Sequence, residues 1–315
     1  MQWFAQAPSN IALIKYMGKK DTESNLPDNA SLSYTLNNLL SSVEIETQPG
    51  NKDFWEPLQI PGGEPFSLSA AAQQRFLQHL NYLKGEFNYT GAFIVRSSNN
   101  FPQGSGLASS ASSFAALTMC AARAMSELTD TPMPSILTQA QLSRVGSGSS
   151  CRSFFSPWAL WHDDMVETIE LPYTKLLHQV ILISHEEKRI LSSDAHQRVK
   201  SSPDYATRHI RATDNLSVLL QAFQNKNWHG AYEICWQEFQ DMHHLFMSST
   251  PAFTYITTET KNILKKLQEL WRHENDGPIV TMDAGPNIHL LYRPDQADMA
   301  QQFKRDHLIG NYDVL

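Results

Sequence analysis

Residues 99–120, NNFPQGSGLASSASSFAALTMC, place a proline, two glycines and a run of small hydroxyl residues directly ahead of an apolar, alanine-rich segment. Proline fixes φ, and glycine permits the backbone conformations that a tight turn demands. The spacing predicts a turn that feeds a helix over 106–127, with Ser109 and Ser110 in its first turn. A helix start leaves backbone N–H groups without intrahelical partners and carries the positive end of the helix dipole. With so little side-chain bulk in front, an anion such as a phosphate can approach that backbone. The same pattern suits an ordinary capped helix in a serine-rich loop, so the rest of the chain has to choose.

At 315 residues the chain exceeds the roughly 250–300 that one hydrophobic core usually serves, which predicts two lobes. Strand-like stretches stand at 10–16, 41–47, 91–97 and 178–184, and helical spacing of apolar residues at 66–84. A further helix is expected before VGSGSSCR (145–152), and longer ones over 205–227, 229–247 and 256–274. The chain closes with IVTMDAGPNIHLLY (279–292), two apolar strands around a tight turn. Strands and helices mixed without regular βαβ alternation predict an α+β fold, divided near residue 178 into lobes 1–178 and 179–315.

Several classes of function are excluded by composition and spacing. A net charge of −7 argues against nucleic acid as the main partner, since phosphate backbones need a basic face. No apolar run approaches the ~18 residues that span a bilayer, and MQWFAQAPSN has neither the basic start nor the apolar core of a secretory leader. Cys120, Cys151 and Cys235 are widely spaced and odd in number, which suits free thiols in a reducing cytoplasm. Twelve histidines without H-E-x-x-H or similar spacing read as surface or packing residues rather than metal ligands. An anionic ligand would instead find Lys15, Lys19 and Lys20 in NIALIKYMGKKD, beside a glycine at a strand end.

The turn PQGSGLASSA resembles the P-x-x-x-G-L-x-S-S-A signature of the small-molecule kinase superfamily of galactokinase, homoserine kinase and mevalonate kinase. NIALIKYMGKKD, LPDNASLSYTL (26–36), RVGSGSSCRSFF (144–155) and TMDAGPNIHLLY resemble, in the same order, segments of mevalonate diphosphate decarboxylases. The matches run from about Pro8 to Tyr292. The resemblance implies a two-lobed fold, a ribosomal protein S5 domain 2-like lobe plus a ferredoxin-like C-terminal lobe, with the active site in the cleft between them. It also implies ATP and Mg²⁺ as cofactors, mevalonate 5-diphosphate as substrate, isopentenyl diphosphate as product, and a cytoplasmic homodimer.

By the same resemblance Asp283 and Lys15 are the catalytic residues. Tyr16, Lys19, Ser147, Gly148, Ser149, Arg152 and Ser193 bind substrate. Gly104, Ser105, Gly106, Leu107, Ala108, Ser109 and Ser110 hold the ATP phosphates, with Ser110 the magnesium ligand. Two positions depart from the pattern. Met17 stands where tryptophan is usual, and methionine can fill such a slot. Asp194 in SSDAH replaces an arginine that lies near the substrate diphosphate in bacterial relatives, while Lys188, Arg189, Arg198 and Lys200 lie close in sequence. Alternatives are a phosphomevalonate decarboxylase, a mevalonate 3-kinase and a catalytically silent metabolite-binding protein.

Overall fold

The structure is a computed structural model, and it describes residues 1–59, 67–101, 109–184 and 190–315. Its first sheet is built on two long strands, β1 (Gln2–Ile14) and β4 (Ser31–Gln48), antiparallel along their length from Gln2 opposite Glu46 to Ile14 opposite Leu32. Between them lie the short strands β2 (Lys19–Asp21) and β3 (Leu26–Pro27). The other edge of β4 takes β7 (Trp158–His162) at its start and β6 (Ala92–Asn99) at its end. Next, β5 (Phe54–Pro57) runs parallel to β6, and β8 (Met165–Thr168) pairs with β7. A second sheet has the order β10 (Ile279–Thr281), β11 (Ile288–Tyr292), β9 (Leu177–Leu182), β12 (Asp313–Val314).

The burial pattern of β1 explains how the chain reaches its interior. Up to Pro8 buried and more exposed residues largely alternate, as expected for a strand covered on one face. From Ser9 to Ile14 every residue is buried, because both faces are covered. Trp3 and Ala7 join a cluster with Val43, Phe93 and the helices α1 (Ala70–Glu86) and α2 (Ser109–Thr129). Ile11, Leu13 and Ile14 instead join a second cluster with β9, β11, α5 (Arg208–Gln224) and α6 (Trp228–Ser248). The end of β1 is thus threaded between two cores and delivers Lys15 and Tyr16 inward.

The helices start where local chemistry lets them. Ser69 accepts from the N–H of Ala72 at the head of α1, and Ser135 from Thr138 at the head of α3 (Ile136–Gly146). In α2, alanine, the strongest helix former, fills Ala111, Ala115, Ala116, Ala121, Ala122 and Ala124, so the helix lies close against the sheet. A short α4 (Ser192–Arg198) precedes α5, and Asn227 caps α6 through Gly230. Thr257 and Thr260 form a reciprocal cap on α7 (Thr258–Glu274), which ends at Asn275 in the left-handed conformation. A last helix, α8 (Ala297–Phe303), precedes β12.

Several elements differ from the sequence reading. The strand expected over 10–16 begins at Gln2 and stops at Ile14, and that over 41–47 is the second half of β4. Ser31, Ser33 and Ser41 hide that length from a hydrophobic-pattern search, since all three are buried polar residues, Ser31 bonding the Ile14 carbonyl and Ser41 the Asn99 side chain. The helix expected from 205 opens with a 3₁₀ turn, Tyr205–Thr207, and continues as α5. β5, β7, β8, β12 and α8 were not anticipated, being short and weakly patterned.

Candidate active site

Lys15 is the first residue beyond β1, and its Nζ donates to Oδ1 of Asp283 at 2.8 Å. Asp283 stands in the turn between β10 and β11, 268 residues further along the chain. The lysine side chain is 2% exposed and the aspartate 28%, so the carboxylate is the member of the pair that a ligand can reach. Burial lowers the Lys15 pKa, opposed by the facing charges of Asp283 and Glu238.

Behind the pair lies a network that sequence reasoning missed. Oε1 of Glu238, on α6 and fully buried, accepts from the Lys15 N–H at 2.9 Å. Oε2 accepts from Asn215 at 2.7 Å and from Arg208 Nη1 at 3.1 Å, and Arg208 Nη2 also bonds Oε1. Arg208 continues to Asp241 at 3.0 Å and to the Lys15 carbonyl at 3.3 Å, which Asn29 also holds at 2.9 Å. Burial opposes the charge of Arg208, but Glu238 and Asp241 outweigh it and raise its pKa. From the same helix α6, Nε2 of His243 lies 3.1 Å from the Asp283 carbonyl oxygen. One helix therefore braces both members of the ion pair. The available signal was Glu238 itself, an acidic residue three positions beyond buried Cys235 and four before buried Met242 on the apolar stripe of α6.

Arg152, in the 3₁₀ helix Gly148–Phe154, is buried and lies close enough to Asp283 and Lys15 for its charge to be felt by the pair. Its Nε donates to Asn10 Oδ1 at 3.1 Å, whereas Nη1 is buried without a hydrogen-bond partner among the described residues. A buried guanidinium N–H without an acceptor costs free energy, and an anionic ligand group would satisfy it. The guanidinium lies 5.6 Å over Trp161, whose ring is 4.6 Å from Tyr16, which in turn is 4.4 Å from His196. Gly148 packs against that column. A Cβ there would come within 2.7 Å of the Tyr16 ring and hydroxyl, so only glycine fits.

The remaining predicted residues fall into four groups. Ser147 Oγ donates to Ser110 Oγ at 3.3 Å and lies 3.5 Å from Ser149 Oγ, so the helix start of α2 and the GSGSS turn share one hydroxyl cluster. Ser109 is the first residue of α2. Lys19 holds Asn25 through Nζ, and burial, then Arg75 and Lys200, lower its pKa. Ser193 is exposed near the start of α4 and is not drawn into these contacts. Gly104, Ser105, Gly106, Leu107 and Ala108 lie outside the described residues, as do Lys188 and Arg189.

The two departures are also placed. Met17 is buried with Ala195, Val199, Met242, Phe246 and Tyr255. Asp194 is exposed on α4, and its charge is felt by Tyr255, whose hydroxyl burial and that charge together push up to about 12. Among the described residues no three histidine, cysteine or carboxylate side chains gather to hold a metal ion, and no helix is long and apolar enough to cross a membrane. The three cysteines are buried free thiols, each raised in pKa by burial.

An α+β chain with two main sheets, a serine-rich helix start bonded to the GSGSS turn, and a buried lysine paired with an aspartate has the two-domain fold of the galactokinase, homoserine kinase and mevalonate kinase type. A model of the diphosphomevalonate decarboxylase-like N-terminal domain matches residues 7–168, and one of the mevalonate 5-diphosphate decarboxylase C-terminal domain matches residues 179–308. The chain belongs to the diphosphomevalonate decarboxylase family, whose members are ATP-dependent decarboxylases. It is 64% identical to a mevalonate diphosphate decarboxylase from Legionella pneumophila, with a TM-score of 0.95 over 100% of both chains. A structure of MDDEF in complex with MVAPP, AMPPCP and magnesium is 28% identical, with a TM-score of 0.87 over 100% of this chain and 96% of that one. The diphosphomevalonate decarboxylase of Saccharomyces cerevisiae is 29% identical over 91% of this chain and 76% of its own length.

Proposed function

We propose that the chain converts mevalonate 5-diphosphate and ATP into isopentenyl diphosphate, ADP, phosphate and CO₂, with Lys15 and Asp283 at the reacting centre. The observation that carries this reading is the Lys15–Asp283 pair at 2.8 Å, with the carboxylate as its accessible member. Asp283 accepts or orients the proton of the tertiary 3-hydroxyl as its oxygen attacks the γ-phosphoryl group of ATP, and ADP leaves. Phosphorylation turns a poor leaving group into a good one. The C3–O bond then breaks with its electron pair on phosphate, and positive charge grows at carbon 3. Loss of CO₂ supplies the electrons of the new double bond. A carboxylate beside that carbon stabilises the developing cation, and a buried lysine beside the transferred group stabilises its negative charge.

The buried, unpartnered Nη1 of Arg152 supports its assignment to a substrate anion, with Tyr16, Lys19, Ser147, Gly148, Ser149 and Ser193 completing the substrate site. Ser109 and Ser110, with the turn 104–108, are assigned to the ATP phosphates. Magnesium needs only one or two protein oxygens when phosphates and water complete its octahedron, so the exposed hydroxyl of Ser110 at a helix start fits that role. The ion supplies charge neutralisation on the phosphates. A cytoplasmic homodimer of lobes 1–178 and 179–315 completes the proposal; three buried free thiols support the reducing compartment.

The test is to incubate the protein with Mg·ATP and mevalonate 5-diphosphate and to follow ADP and CO₂ together. Both products are expected. ADP alone would indicate a 3-kinase, and neither product a silent binding protein.

A further inference from the structure

His196 is absent from every assignment made above, yet it closes the aromatic column of the substrate site. Its Nδ1 accepts a hydrogen bond from the Gly18 N–H at 3.0 Å, and its ring packs 4.4 Å from Tyr16. An imidazole that accepts at Nδ1 from a backbone N–H is neutral and carries its proton on Nε2. Protonating Nδ1 would set two donors against each other. No described residue accepts from Nε2–H.

The surroundings enforce the same state. Burial, followed by the charges of Lys19, Arg152 and Lys200, pulls the His196 pKa down to about 3. Tyr16 stands against the ring, and its own pKa is raised by burial, so it too is neutral. The result is an uncharged N–H donor set among three cations. Asp194, two residues earlier, is exposed on α4.

We infer that His196 is a substrate-contacting residue, donating through neutral Nε2–H to the anionic end of the substrate while Nδ1 pins the Gly18 turn. The inference rests on the substrate reading given above. The site thereby recognises a polyanion with one directional neutral donor where a further charge would be costly among Lys19, Arg152 and Lys200. Two functions reside on one ring, and they can be separated. Asparagine can keep the acceptor for Gly18 and lose the distal donor; glutamine can keep a distal donor and lose the acceptor.

Calorimetric titration with mevalonate 5-diphosphate, and separately with Mg·ATP, applied to the parent, His196→Asn and His196→Gln, tests this. His196→Asn is expected to weaken mevalonate 5-diphosphate binding by about tenfold or more, as for a lost hydrogen bond to a charged group. His196→Gln should recover most of that loss, to within about threefold of the parent, and Mg·ATP affinity should stay unchanged in both. Thermal melting of each variant shows that it is folded. An imidazole ¹⁵N spectrum of the parent should hold the Nε2–H tautomer between about pH 5 and 8 and shift on adding the diphosphate. Equal losses in the two variants, or a loss shared by Mg·ATP, would overturn the inference while leaving the substrate reading intact. A parent that binds Mg·ATP but not mevalonate 5-diphosphate would overturn both.

Discussion

Lys15 and Lys19 stand four residues apart and meet opposite environments. Lys15 is buried against Asp283, with Glu238 and Arg208 fixing its backbone from behind. Lys19 is half-buried, bonds a neutral partner in Asn25, and lies within reach of the like charges of Arg75 and Lys200. The first charge is compensated within the protein, and the second, on the proposed reading, is left for the ligand to compensate. A group that must act on a transition state gains from being fixed beforehand, because no reorganisation is then needed during the reaction. A group that must recognise a polyanion gains from standing in an uncompensated field, which draws the ligand in.

The sharpest way to break this contrast is Asp283→Ala. Turnover is expected to fall by ~10²–10⁴-fold or more, with Mg·ATP affinity nearly unchanged, measured by steady-state kinetics and titration. Turnover within a few fold of the parent would remove Asp283 from the chemistry. Glu238→Gln attacks the brace from behind. It leaves buried Arg208 short of a counter-charge, a change that costs about 3–5 kcal/mol in stability, read by chemical denaturation. Glu238 also raises the Lys15 pKa, so its loss lowers that pKa further and the alkaline limb of the rate profile should move to lower pH. An unmoved limb would mean that Glu238 serves the fold alone.

Ser110→Ala should raise the magnesium concentration needed for half-maximal rate by on the order of tenfold, with mevalonate 5-diphosphate affinity unaffected. An unchanged magnesium dependence would reassign that serine. The smallest effect belongs to the rim. Asp194→Arg should tighten mevalonate 5-diphosphate binding by roughly threefold at low salt and by less at high salt, as for an exposed charge near a site. A clear preference of the parent for mevalonate 5-phosphate, reversed by this substitution, would make the chain a phosphomevalonate decarboxylase.

The same contrast explains what the sequence disclosed. Lys15, Tyr16, Ser110, Ser147, Arg152 and Asp283 lie in short contiguous motifs, because each needs a specific local backbone, and such motifs are readable. Glu238, Arg208 and His243 carry no motif. They are single polar residues on helices α5 and α6 whose meaning comes from what β1 and the β10–β11 turn bring against them. His196 was hidden among twelve histidines for the same reason. The longer helices were legible from their 3.6-residue period, with ends correct to within a few residues, whereas the seven-residue α4 and α8 were not. The short strands were not, since β5, β8 and β12 have two to four residues and too few apolar positions to show a pattern. The full length of β4 was masked by its buried serines.

A separation of 268 residues between Lys15 and Asp283 also governs how the protein comes into being. Lys15 leaves the ribosome 268 residues ahead of its partner. Until α6 and the β10–β11 turn arrive, the end of β1 must stay hydrated, because a lysine cannot enter an apolar interior with neither Asp283 nor Glu238 to meet it. The β1–β4 hairpin can form early, through its first half, whereas docking of its second half waits for the last third of the chain. Chains cut short before Asp283 would lack the ion pair, and those ending before α5 would leave Ile11, Leu13 and Ile14 without most of their cover, as a signal for chaperones and proteases.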